Sequence, residues 1–422
     1  AGGRTRCAVC STLRLSGYPW PQVRDATLEW LEHHAAMGFG PFILCLDEPD
    51  ELKEQSLRAE VHRLTGCVVE LLCRSDMEAA WHESGALWEE LRDTASLELT
   101  SRQKLNAATA LRICRSAHAN VEWLLTNLDL DEVFHFPAGA ADAPSHFGLL
   151  PADAWQVVYL NHEAVVTTAA GAAAQRDAGS ALDWVQRVDL FKVNPLTKLP
   201  FISEGFPAQD ADPQVLEHPD AATGAEALAF WRARRARLAA AQGAEAGLGA
   251  GGIGGYFDQY VRGKCAVRVA YAAEGLAKPS VHRWLAPAGG SPEPIVCDPA
   301  AACVLHYSNC GGPEWFAAKY ASQKDERLNQ LWFHTLAQRS ARAGQGELLE
   351  WYRAAATVPR DALAPQLAEG TVAPMGQGAE GAAAAEGPAG KAGAIWGWLA
   401  VDVGGGASLH MPIEEAPCTG GG

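Results

Sequence analysis

The sequence has 422 residues, 48% hydrophobic and 20% charged, which is ample apolar material for one elaborated domain or two ordinary ones. A disulfide-stapled mini-protein and a globally disordered chain are both excluded. Asp and Glu number 50 against 34 Lys and Arg, a formal charge of −16 that repels a polyanionic backbone, so nucleic acid is excluded as a principal partner.

From Arg6 to Leu13 the apolar residues cluster as CAVCSTL, the pattern of a short buried strand, and Asp25–Met37 carries helical spacing that stops at Gly38. PFILCLDEPDE is a second apolar run closing on acidic turn residues; SLRAEVHRLTG then reads as a helix and CVVELLC as a third strand. This alternation predicts an α/β fold with a mostly parallel sheet flanked by helices. LTSRQKLNAATALRICRSAH follows as a longer helix, and VEWLLTNLDLDEVFHF reads as one strand running into carboxylates. In such sheets ligands sit at the carboxyl ends of strands.

After Phe136 the rhythm weakens, with strands expected in WQVVYLNHEAVV and DLFKVNP. Ala221–Gly255 joins an Ala/Arg helix to GLGAGGIGG, a flexible insertion rather than a phosphate loop, because it lacks the strand-to-helix context and the Lys-Ser/Thr ending. Ordered sequence resumes in YFDQYVRGKCAVRVAY and VLHYSNC, then a helical stretch spans Pro313 to Ala356. Beyond Pro359 the Ala/Gly/Pro-rich composition is expected to be largely disordered, with IWGWLAVDV as its one strand candidate.

No uncharged apolar run reaches the roughly 18 residues of a membrane-crossing helix, and no leader pattern opens the sequence. Residue 1 is Ala rather than Met, so an anchoring segment ahead of it is compatible with the chain. Eleven cysteines define no disulfide framework and point only loosely to an oxidising lumen. Cys7 and Cys10 have zinc or redox spacing, but no second CxxC accompanies them and AVCSTL reads as a strand.

Asp129, Asp131 and Glu132 lie within four residues after the apolar run WLL. On an extended chain Asp129 and Asp131 share a side, about 7 Å apart. Two hard oxygens on one rigid edge can hold Mn²⁺ or Mg²⁺ and leave positions open for a diphosphate; the alternative is acidic residues solvating a turn.

Four blocks, LEWLEHHAAMGFGPFILCLDEPD, SRQKLNAATALRICRSAHANVEWLLTNLDLDEVFHF, YVRGKCAVRV and VLHYSNCGGPEWFAAKY, together resemble the GT-A glycosyltransferases around glycosyltransferase family 92 and the KOBITO-type plant glycosyltransferase-like proteins. The resemblance implies a GT-A-like (Rossmann-like) nucleotide-sugar half over residues 1–215, a 216–255 insertion, an acceptor-side part over 256–356 and a flexible 357–422 tail. It implies a metal-dependent transfer of a hexose, galactose among the candidates, from a UDP-sugar to a saccharide or glycoprotein hydroxyl, with inversion, in the Golgi or secretory-pathway lumen. The alternatives are a non-catalytic scaffold of the same fold that binds sugar nucleotides or glycans, and a nucleotidyltransferase.

Carried onto this chain, Asp129 and Asp131 match the DxD pair, Asp131 being the expected direct metal ligand, and Asp47 falls where the group contacts the nucleoside. Arg102, Gln103 and Lys104 precede the DxD strand and are expected at the nucleotide pocket. His306 is the expected third metal ligand, with His282 as fallback. Glu163, and after it Glu132, are candidates for the base that takes the acceptor proton, and Lys264 and Arg268 for counter-charges to the diphosphate. The chain departs from the group at STLRLSGYPWPQVRD and DEPDE, where base contacts are expected. Of His33 and His34, one is expected to pack and one to be solvated. Trp315, Phe316 and Tyr320 have helical spacing and read as core or as a sugar-stacking stripe.

Overall fold

A computed structural model describes residues 6–15, 20–47, 50–64, 67–136, 142–167, 188–192, 263–272, 278–285, 295–299, 301–307 and 310–313, with single residues and short segments from 315 to 414. The Ala221–Gly255 insertion and most of Pro313–Ala356 lie outside the described residues.

The strands in chain order are β1 (Cys7–Leu13), β2 (Phe42–Leu46), β3 (Val69–Leu72), β4 (Trp123–Thr126), β5 (Glu132–His135), β6 (Gln156–Tyr159), β7 (Asn161–Ala164), β8 (Val166–Thr167), β9 (Leu190–Lys192), β10 (Lys264–Arg268), β11 (Lys278–Pro279), β12 (Trp284–Leu285), β13 (Ile295–Val296), β14 (Cys303–His306), β15 (Thr357–Val358), β16 (Val372–Pro374), β17 (Trp396–Gly404) and β18 (Ala407–Glu414). The helices are α1 (Trp20–Ala36), α2 (Glu51–Val61), α3 (Arg74–His82), α4 (Ala86–Ala95), α5 (Leu99–Ala117) and α6 (Ala143–Leu149).

The main sheet has the order β13-β6-β10-β4-β1-β2-β3. Its strands run parallel except β10, which is antiparallel to both neighbours. The expected mixed α/β architecture with a mostly parallel sheet is therefore present. β1 is buried on both faces, as a central parallel strand must be. Its Cys7, Val9 and Leu13 face a core built with α1, α6 and the second sheet, and Ala8 and Cys10 face one built with α3, α4 and α5. Cys7 and Cys10 thus point to opposite faces, buried and unpaired, and form neither a metal nor a redox pair.

Helix α1 starts at Trp20, earlier than the apolar spacing suggested, because Pro21 in its first turn gives up no helix hydrogen bond. Its buried positions Val23, Ala26, Thr27, Trp30, Leu31 and His34 form one stripe. Gly38 follows with φ +85, the left-handed conformation that ends helices. Asp50 caps α2 by accepting from the Lys53 N–H at 3.1 Å. Asn106 of α5 donates to Thr12 Oγ1 at 3.0 Å and accepts from Trp81 Nε1 at 2.9 Å, fixing α5 over β1 and α3.

Two apolar runs break where the sequence reads as continuous. VEWLLTNLDLDEVFHF divides into β4 of the main sheet and β5 of a second sheet, and WQVVYLNHEAVV divides at Leu160 into β6 and β7. The second sheet has the order β16-β9-β7-β14-β5. IWGWLAVDV supplies β17, which pairs with β18 as a hairpin. No helix among the described residues is long and apolar enough to cross a membrane.

Candidate functional site

In the main sheet the chain leaves β1 toward β2 and β3 on one side, while β4 lies on the other. A crevice opens at the carboxyl ends of strands where the order reverses in this way. Thr126 ends β4, and Asn127 takes φ 56, a conformation that Asn tolerates better than most residues. Its Nδ2 donates to the Val281 carbonyl at 3.2 Å. The chain then turns through Asp129 and Asp131 into β5, so both carboxylates sit in the connection between the two sheets rather than along one strand.

β10 brings a cation to the same place. It is antiparallel to β4 with Cys265 opposite Thr126, so Lys264 arrives at the end of β4. Lys264 Nζ lies 2.7 Å from Asp129 Oδ2 and 2.9 Å from Glu132 Oε2, with 2% of the side chain exposed. Burial disfavours its charge, but the two carboxylates override this and hold its pKa above the usual lysine range. Glu132 shifts upward because burial outweighs the pull of Lys264, and its Oε2 also accepts from the Asp129 N–H at 2.8 Å. Gln103 Nε2 approaches Asp129 Oδ1 at 3.4 Å.

A second cation comes from β14, which pairs His306 with Glu132 on one side and with Glu163 on the other. His306 Nδ1 bonds Glu163 Oε1, and Nε2 lies 3.6 Å from Asp131 Oδ2. Burial alone would lower the imidazole pKa; Glu163 and Asp131 overcome it and push it up to about 10. His306 is therefore an imidazolium held between carboxylates. Both ring nitrogens thus face carboxylates in this structure, Nδ1 that of Glu163 and Nε2 that of Asp131.

The remaining site candidates scatter. Asp47 is spent on Arg102, which meets it through two nitrogens, so its carboxylate braces α5 instead of facing a nucleoside. Gln103 reaches the acidic turn, whereas the half-buried Lys104 joins neither group. Arg268 lies at the other end of β10, opposite the first residue of β4, where it stacks on Trp123 and donates to the Ala154 and Pro151 carbonyls. It is at the wrong edge of the sheet for a diphosphate at the crevice. Glu163 is fully buried and Glu132 nearly so, and both are committed to internal cations. The base candidates Glu163 and Glu132 are thus both inside the cluster, in contact with His306 and Lys264.

His282 Nδ1 bonds the Gly263 carbonyl at 3.0 Å, next to Lys264 in the chain. His34 is the packed one of the early pair, as expected, but His33 is half-buried rather than solvated. Trp315 packs against the core, while Phe316 and Tyr320 lie outside the described residues. Reasoning from sequence missed Asn127, although Asn before an acidic turn is a left-handed signal, and it missed the Lys264–Glu132 pairing, for which no local signal exists.

Among the described residues no three His, Cys, Asp or Glu side chains group to cage a metal. Asp129 and Asp131 remain as the carboxylates that reach the surface, with side chains 36% and 12% exposed. Two hard oxygen donors fit a Mg²⁺- or Mn²⁺-type ion shared with substrate phosphates, since such ions typically take one or two carboxylates plus phosphate and water.

No family model matches the chain, and no curated protein matches it. Among solved structures it is similar to the mannosyltransferase Ktr4p from S. cerevisiae in complex with GDP, at 12% identity over 64% of this chain and 58% of that one, with a TM-score of 0.23. It is also similar to core-mannan synthase A (CmsA/Ktr4) from Aspergillus fumigatus in its Mn/GDP form, at 13% identity over 65% of this chain and 62% of that one, again with a TM-score of 0.23. The match spans less than two thirds of either neighbour's length, and superposition this loose carries no functional argument.

Proposed function

We propose that the chain is a metal-dependent glycosyltransferase that moves a hexose from a UDP-sugar to a saccharide or glycoprotein hydroxyl in the secretory pathway. One observation carries this reading: Asp129 and Asp131 sit in the connection leaving β4, beside the point where the strand order reverses, which is where open α/β sheets bind their ligands. Asp129 and Asp131 would hold a divalent ion, which when bound supplies charge neutralisation for the nucleoside diphosphate leaving group. Within the chain, Lys264 and Gln103 orient Asp129, and His306, itself fixed by Glu163, orients Asp131. In this reading residues 1–215 form the donor side and 256–356 the acceptor side, with 216–255 and 357–422 as additions.

In the proposed transfer the acceptor oxygen bonds to the anomeric carbon as the sugar–phosphate bond breaks, and the hydroxyl proton must go to a base. Glu163 and Glu132 are the candidates for that base, and the point against them is their burial against His306 and Lys264. That observation favours a second reading, a scaffold of the same fold that binds a sugar nucleotide or glycan without turning it over. Incubation with a panel of UDP- and GDP-sugars and Mn²⁺, with and without acceptors, separates the two. Release of nucleoside diphosphate that Asp131→Ala abolishes supports the transferase, and saturable binding without release supports the scaffold. Absence of both turnover and binding overturns the nucleotide-sugar reading.

A further inference from the structure

We propose that Lys264 is a resident counter-ion that keeps the divalent cation out of the acidic turn until a nucleoside diphosphate is present. The inference rests on the metal assignment above and concerns how that site is loaded. Lys264 Nζ already bridges Asp129 Oδ2 and Glu132 Oε2 at 2.7 and 2.9 Å, and Asp129 is one of only two surface-reaching carboxylates in the cluster.

A metal ion approaching Asp129 meets an ammonium on the same carboxylate, and the two cations repel across a short distance in a medium of low dielectric. Lys264 cannot simply swing into water, because its side chain is 2% exposed and β10 is clamped between β4 and β6. The preceding residue is equally fixed, since the Gly263 carbonyl bonds His282. A diphosphate resolves the conflict. Its oxygens accept from Lys264 in place of Asp129, and the freed carboxylate turns to the ion. Metal and nucleotide therefore bind with positive coupling, which by linkage is reciprocal.

The experiment measures Mn²⁺ binding to the metal-free protein without nucleotide, reading free Mn²⁺ by its EPR signal. Removing the resident charge in Lys264→Met should tighten Mn²⁺ binding at least about tenfold, whereas Lys264→Arg should stay at the wild-type value. Adding Asp129→Asn to the Lys264→Met protein should erase the gain, which locates the ion. If Lys264→Met does not fold, Lys264→Gln keeps hydrogen-bond donors for both carboxylates without the charge and carries the same expectation. With UDP present, wild-type Mn²⁺ affinity should rise by more than that of the charge-free variant. A folded charge-free variant that binds Mn²⁺ no tighter than wild type overturns the proposal. So does a wild-type protein that binds UDP but whose Mn²⁺ affinity the bound UDP leaves unchanged. The first comparison uses no nucleotide, so it decides this inference even if no UDP- or GDP-sugar binds and the functional reading fails.

Discussion

Asp47, the residue after β2, holds Arg102 of α5 at two points, with Nη2 donating to Oδ2 at 2.8 Å and Nε to Oδ1. The carboxylate is wholly buried and the guanidinium is 10% exposed. Arg74 adds a hydrogen bond to the Asp47 carbonyl at 3.2 Å. Removing one partner of a buried pair strands the other charge, so Asp47→Ala should lower unfolding free energy by about 3–5 kcal/mol. A urea titration beside a UDP-binding isotherm checks it. Weakened UDP binding at unchanged stability would return Asp47 to the nucleoside contact that its sequence position suggests.

Arg268 should behave as a structural residue despite its place in GKCAVR. Its guanidinium lies 4.5 Å from the Trp123 ring centroid, with donations to the Ala154 and Pro151 carbonyls at 2.9 and 3.0 Å. Arg268→Met should cost about 2–4 kcal/mol of stability. It should leave UDP affinity within about twofold, because the site is at the opposite strand end. Loss of UDP binding with stability intact is the outcome that contradicts this placement.

The parallel core was legible because buried parallel strands are continuous apolar runs, and CAVCSTL, FILCL and VELL all read that way. Sheet switching was not. WQVVYLNHEAVV stays apolar through Leu160 with no turn residue, yet β6 and β7 belong to different sheets. The Asp129/Asp131 motif was visible as a local pattern. The partners of the surrounding charges were not, because Lys264 meets Asp129 across 135 residues and His306 meets Glu163 across 143. Such pairings depend on β10 entering antiparallel and β14 docking between β5 and β7, which periodicity does not encode.

Acid should destabilise the fold before its carboxylates titrate. His34 Nδ1 lies 2.7 Å from the Trp30 carbonyl and Nε2 accepts from the Phe134 N–H at 3.1 Å, which together define the neutral Nδ1–H tautomer. Burial, and then neighbouring His33, push its pKa down to about 3. Burial also pushes His135, His146 and His162 down to about 4. Their folded values lie below the unfolded one, so below about pH 6.5 the unfolded chain takes up protons that the folded chain refuses. The contribution of these four is full above that pH and falls below it by about 1.4 kcal/mol per pH unit for each. His306, raised to about 10, instead contributes fully below about pH 6.5 and loses its share as pH rises. Urea midpoints at pH 7, 6 and 5 should decline steadily, and His34→Gln should lessen the slope by one histidine's share. A flat profile would falsify the buried neutral assignment.

Gly263 should be the least replaceable residue near the site, for a reason of space rather than backbone conformation. A Cβ there would stand 1.6 Å from the Tyr159 carbonyl oxygen, 2.6 Å from its carbon and 2.9 Å from Leu160 Cα. All three are backbone atoms, so no rotamer relieves the clash. The strand cannot shift sideways, since Lys264 is in register with Tyr159 and Cys265 with both Val158 and Thr126. Gly263→Ala must therefore push the start of β10 off β6, at more than about 3 kcal/mol by the scale of severe core overpacking. The displacement also lifts Lys264 from Asp129 and Glu132. Thermal unfolding should show a large fall in Tm, and the Gly263→Ala protein, where it folds at low temperature, should bind Mn²⁺ more like Lys264→Met than like wild type. A Gly263→Ala protein as stable as wild type would mean that β10 does not approach β6 this closely, and the position of Lys264 would fall with it.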